Sequence, residues 1–93
     1  MKYYTKEVED VLKGHPQVIE AAVIPYPDEI YGERVKPIIV SNYFNASNIN
    51  ELQQYCHERL AKFKIPELFE FIDELPKTAS GKILKHELKA QFA

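Results

Sequence analysis

The feature that most constrains this 93-residue chain is the run Val18-Ile19-Glu20-Ala21-Ala22-Val23-Ile24, rich in β-branched types and closed by Pro25. Side chains branched at Cβ fit a pleated surface better than a helix, so the run predicts a strand largely buried in a sheet. Pro25-Tyr26-Pro27-Asp28 is then expected to turn the chain. A second apolar run, Val35 to Val40, contains Pro37, which has no N–H to give to a ladder. That places it as an edge strand.

Helical periodicity surrounds these strands. Val8, Val11 and Leu12 lie three and four apart behind Thr5, a candidate cap, with Glu7, Glu9 and Asp10 near the positive end and Gly14 and Pro16 as the stop. The polar stretch Asn42 to Asn50 is expected to be a loop ending in a capping box between Asn48 and Glu51. Leu52, Tyr55, Cys56 and Leu60 then line one face of a second helix, which Pro66 follows. Leu68 to Ile72 reads as a third strand, and Leu84, Leu88 and Phe92 as the face of a last helix. The expectation is an α+β domain over residues 1–93, with a small three-stranded sheet and the order α-β-β-α-β-α.

A chain of this length supports one core and leaves no room for a second domain with a large substrate pocket. A complete multi-substrate enzyme is not expected. The formal charge of −2 lacks the basic excess of a general nucleic-acid binder, and Tyr3, Tyr4, Tyr26, Tyr31 and Tyr43 are not interleaved with a basic patch. Charge is nonetheless unevenly spread: residues 1–33 carry seven acids and three bases, residues 76–93 four lysines and one acid, Glu87. The basic end is where anion chemistry is expected. Cys56 is the single cysteine and has no partner for an internal disulfide, and no apolar run reaches membrane-spanning length. A cytoplasmic protein without a membrane span is the expectation.

The basic end contains Pro76-Lys77-Thr78-Ala79-Ser80-Gly81-Lys82. Gly81-Lys82 is not a phosphate loop, because that pattern needs glycine at position 76 and a hydroxyl at 83, where this chain has Pro76 and Ile83. A loop lysine beside a glycine can deliver a mobile ammonium to developing negative charge. On spacing alone, a solvated surface lysine is the favoured reading, and the functional one is the minority alternative. His15, His57, His86 and Cys56 have no metal-ligand spacing, and Ser80 lacks the glycines of a hydrolase nucleophile, so no metal site and a loop-shaping Ser80 are expected.

Two stretches resemble the C-terminal domain of the adenylate-forming superfamily, which contains acyl-CoA synthetases, peptide-synthetase adenylation domains and luciferases. One runs from Glu7-Val8-Glu9 through His15-Pro16 and Glu20-Ala21-Ala22-Val23 to Pro27-Asp28-Glu29 and Gly32-Glu33; the other is Pro76 to Leu84 after Asp73-Glu74-Leu75. The Pro76 to Leu84 stretch resembles the loop that carries the family's catalytic lysine, and Lys82 holds that position. The form Thr-Ala-Ser-Gly-Lys-Ile-Leu is more similar to acyl-CoA synthetases than to peptide-synthetase domains.

The resemblance implies a two-step ligase reaction in which a carboxylate attacks the α-phosphate of ATP, supplied with magnesium, and CoA thiol then displaces AMP. It implies that Lys82 stabilises charge in the first step, with Gly81 beside it. It offers Lys2 and Lys64 as contacts for phosphate or CoA, and assigns Lys85 no role. The implied partner is a large N-terminal domain holding the ATP and acyl sites, joined by a hinge ahead of Met1. By this reading the chain is a mobile lid that does not catalyse the full reaction alone. Alternatives are a non-catalytic protein-interaction module and transfer to a carrier protein instead of CoA.

Overall fold

The computed structural model describes residues 5–28 and 32–92. In order, these form α1 (Thr5–Lys13), β1 (Glu20–Asp28), β2 (Gly32–Val40), α2 (Ile49–His57), a 3₁₀ turn at Lys62–Lys64, β3 (Glu70–Phe71) and α3 (Lys85–Phe92). The α+β class and the order of helices and strands match the sequence reading. β1 and β2 pair antiparallel from Glu20 opposite Val40 to Asp28 opposite Gly32, and β3 adds parallel to β2. β2 is therefore the central strand, between β1 and β3.

The prolines correct the sequence reading twice. Pro25 to Asp28 do not turn the chain but continue β1 in register, and Pro37 lies on the central strand rather than at an edge. The backbone explains both. Ile72 N–H donates to the Ile39 carbonyl at 3.0 Å, so Ile39 faces β3. Backbone groups alternate direction along a strand, so Pro37 turns its nitrogen to the same side, one step before β3 begins opposite Ile38. Its missing donor also denies the ladder its next rung, and β3 is two residues long rather than the five of Leu68 to Ile72. Opposite Pro37, Val23 turns its N–H to the open edge of β1. Pro25 and Pro27, at alternate positions, set donorless nitrogens along that edge and block pairing with another strand.

The sheet is covered on both faces, which explains why the strand runs read as nearly continuous apolar sequence. On one face Ala21, Val23, Val35 and Ile39 meet Val8 and Leu12 of α1 and Leu52 and Cys56 of α2. On the other, Ala22, Ile24, Ile38 and Val40 meet Leu75, which follows β3, and Leu88 of α3. Each fully buried Leu, Ile or Val contributes about 1.5–3 kcal/mol by leaving water.

Element ends differ from expectation in ways the side chains explain. Thr5 lies inside α1 and is not its cap. Asn48 precedes α2 as expected, but no capping box forms: its Oδ1 accepts from Asn45 N–H at 2.7 Å, its Nδ2 donates to the Tyr43 carbonyl at 2.9 Å, and Glu51 accepts from the Tyr43 hydroxyl. The loop claims both partners. α2 stops at His57, short of Leu60, although Leu60 stays buried in the same cluster as Leu52 and Cys56, and its N–H donates to the Cys56 carbonyl at 2.8 Å. α3 starts at Lys85, one residue after Leu84, and ends where Lys36 Nζ donates to the Phe92 carbonyl at 2.8 Å.

Candidate functional site: a lysine hairpin

Residues 76–84, of which Pro76 to Lys82 are expected from sequence as a polar loop, form a small closed hairpin. Lys77 and Ile83 bridge antiparallel, Thr78 N–H donates to the Lys82 carbonyl at 2.8 Å, and Gly81 N–H donates to the Thr78 carbonyl at 2.9 Å. This is the bonding of a three-residue hairpin loop, which requires a left-handed residue near its end. Gly81 supplies it with φ of 91°. Nothing lies within 4 Å of where a Cβ would stand, so backbone conformation rather than lack of space calls for glycine. Thr78 Oγ1 accepts from Lys82 N–H at 3.1 Å and lies 3.0 Å from Ser80 Oγ, the loop-shaping contact expected of that serine. Leu84 N–H closes the base on the Pro76 carbonyl at 2.9 Å, while Leu75 and Ile83 anchor it in the core on the α3 face.

Lys82 is exposed at the end of this support and, among the described residues, makes no ion pair or side-chain hydrogen bond. Its flanking lysines are both engaged. Lys77 pairs with Glu20 of β1, and Lys85 pairs with Glu9 of α1. The geometry offers one unneutralised ammonium on a rigid base, able to meet an anion without first breaking a contact.

The other candidates lie elsewhere. Lys64 Nζ sits 2.7 Å from Glu7 of α1 and 5.6 Å from the Phe63 ring centre, beside Ile65, which packs on the core of the α1 and α2 face. Lys64 and Lys82 thus belong to opposite faces of the sheet, and the fold does not bring them together. Lys2 lies outside the described residues. His15 Nδ1 accepts from Gln17 N–H at 3.0 Å, and its ring packs edge-on against Phe44 and Tyr55. Cys56 is buried while neighbouring His57 is exposed, and burial pushes the thiol up to about 11 against a smaller opposing pull from Arg59. Among the described residues no three His, Cys, Asp or Glu side chains gather as a metal site. Nor is any described helix long and apolar enough to cross a membrane.

Sequence reasoning missed Glu9. Read as a charge near the helix start, it instead accepts from Val23 N–H at 2.9 Å on the open edge of β1 and pairs with Lys85 as well. No local pattern signals this, because its partners are 14 and 76 residues away in sequence.

The AMP-binding enzyme C-terminal domain model matches residues 7–82. The chain is 43% identical over 89 residues to fatty acid–[acyl-carrier-protein] ligase ScoC of Streptomyces coeruleorubidus, covering 96% of this chain and 17% of that protein. It is 43% identical over 86 residues to a long-chain-fatty-acid–CoA ligase of Yersinia pestis, covering 92% of this chain and 15% of that protein. Among solved structures it is similar to a Mycobacterium tuberculosis fatty acyl CoA synthetase, with a TM-score of 0.87 at 39% identity, over 96% of this chain and 18% of that one. The o-succinylbenzoate CoA synthetase of Bacillus subtilis in complex with an acyl-adenylate intermediate gives a TM-score of 0.86 at 42% identity, with the same coverage. The chain thus spans under a fifth of the length of these relatives, which are adenylate-forming acyl ligases. With a matching model over most of its length and the same fold in its relatives, the chain belongs to the AMP-binding enzyme C-terminal domain family.

Proposed function

We propose that this chain is the mobile C-terminal catalytic domain of an ATP-dependent, AMP-forming carboxylic acid:CoA ligase. Its partner is a large N-terminal domain that holds ATP, magnesium and the acyl group, and the setting is the cytoplasm. Lys82 is the catalytic residue: its ammonium meets the oxygens of the carboxylate and α-phosphate as the acyl-phosphate bond forms and pyrophosphate leaves. It orients both reactants and stabilises growing negative charge without changing protonation. Gly81 sets the backbone that aims it. The observation that carries the reading is the contrast between Lys82, which has no partner among the described residues, and Lys77 and Lys85, which are paired.

Swinging of the domain then withdraws the hairpin and turns another face to the thiol. Lys64 and Lys2 are proposed contacts for CoA phosphates in that rotated state. Lys64 reaches them by exchanging Glu7 for phosphate. Its position on the opposite face from Lys82 supports a division in which each face serves one half-reaction. A carrier-protein thiol is the alternative acceptor, favoured by the carrier-protein ligase named among the relatives.

The test uses the complete ligase. Lys82→Ala is expected to slow carboxylate-dependent pyrophosphate exchange by about 10²–10³-fold, while thioester formation from supplied acyl-AMP stays within a few-fold. Equal loss of both steps contradicts the assignment, and no loss in either favours a non-catalytic interaction module. Running the thioester step with CoA and with a phosphopantetheinylated carrier separates the two acceptors.

A further inference from the structure

Both legs of the lysine hairpin are tied to the rest of the fold by charge. Lys77, on the incoming leg, pairs with Glu20 at the start of β1, and Lys85, three residues past Lys82, pairs with Glu9 of α1. The two carboxylates differ. The Glu20 side chain is about a third exposed, whereas that of Glu9 is only 13% exposed and also accepts the Val23 N–H at 2.9 Å. The strand donor fixes Glu9, so its position depends little on the mobile lysine it meets. Glu9 also stands where the two covered faces of the sheet meet around the open edge of β1: α1 packs on one face, and Lys85 begins α3 on the other.

We infer that Glu9 is a positioning residue for Lys82: held by the β1 edge, it fixes Lys85 and with it the outgoing leg of the hairpin. This rests on the proposed role of Lys82 in adenylation and gives Lys85 a function that sequence reading did not assign. Loss of the pair leaves the ammonium of Lys82 intact but loosens its aim, which weakens only the half-reaction that uses it. A purely structural role for Glu9 lowers both half-reactions together.

The test is a double-mutant cycle in the complete ligase. Glu9→Gln keeps an acceptor for Val23 N–H and removes the charge that holds Lys85, while Lys85→Met removes the other partner from a side chain that is 42% exposed. Each is expected to slow pyrophosphate exchange about 10-fold, to leave thioester formation from supplied acyl-AMP unchanged, and to add nothing when combined. Lys85→Arg, which keeps the charge, is expected to restore exchange to within about twofold. Multiplying effects, equal loss of both half-reactions or unaltered exchange overturn the inference. If Glu9→Gln fails to fold, Lys85→Met and its arginine rescue decide alone. Unaltered exchange in Lys85→Met alongside a large loss in Lys82→Ala overturns the positioning role only; no loss in Lys82→Ala overturns the catalytic reading beneath it.

Discussion

The two covered faces of the sheet are built differently. On the α1 and α2 face, Val8, Leu12, Leu52 and Cys56 are fully buried within a cluster of eleven buried residues among those described. On the α3 face the cluster has six, and directly above it stands a hairpin whose residues 77–82 are all exposed. One face supplies packing and the other presents a cation, held by backbone bonds, a left-handed glycine and two ion pairs above the core anchor of Leu75 and Ile83. Elements that carry function are commonly drawn from the less densely packed part of a fold, and this domain separates the two tasks by face.

Core truncation sharpens that comparison most. Leu52→Ala is expected to lower unfolding free energy by about 2–5 kcal/mol, and Leu88→Ala, in the smaller cluster, by an amount near the lower end of that range. Denaturant unfolding checks both, and a larger loss at Leu88 breaks the comparison. Gly81→Ala is expected to cost about 1–2 kcal/mol, because φ of 91° strains a side-chain-bearing residue while no neighbour crowds the new methyl. That cost falls on the hairpin, so hydrogen exchange is expected to quicken at Thr78 and Lys82 while the α1 and α2 face keeps its protection.

The buried thiol gives a smaller effect that belongs to the packed face alone. Folding holds the Cys56 proton to about 11, whereas the unfolded chain releases it near 9.0. Above pH 9 the unfolded state binds fewer protons, so Cys56 contributes a fall in stability from about pH 9 to 11 and none below. Unfolding midpoints across that range are expected to show a fall that Cys56→Ala reduces. Smallest of all is Lys6→Ala, which removes an exposed pair with Asp10 at 3.4 Å and is expected to change stability by less than about 0.5 kcal/mol.

What the sequence disclosed divides along the same physical line. The Leu52 and Cys56 stripe and the β-branched run into Val23 were legible, because burial of one helix face or of a strand leaves a local period. Pro25 and Pro37 were misread because a proline's acceptability depends on which side its nitrogen faces and on what stands there, and pairing across the sheet decides both. Asn48 and Glu51 have capping-box spacing, yet Asn45 and Tyr43 outcompete the helix for them. At the site, Lys82 and Gly81 were legible from one short segment. Glu9 and the pairing of Lys85 were not, since they arise where three elements meet at a strand edge.

The most direct test of the central claim is the ratio of pyrophosphate-exchange rate to thioester-formation rate in Lys82→Ala, measured in the complete ligase beside its unfolding midpoint. The ratio is expected to fall about 10²-fold or more with the midpoint essentially unmoved, because the Lys82 side chain is exposed and bonds no partner among the described residues. An unchanged ratio, whatever happens to the midpoint, contradicts a catalytic Lys82.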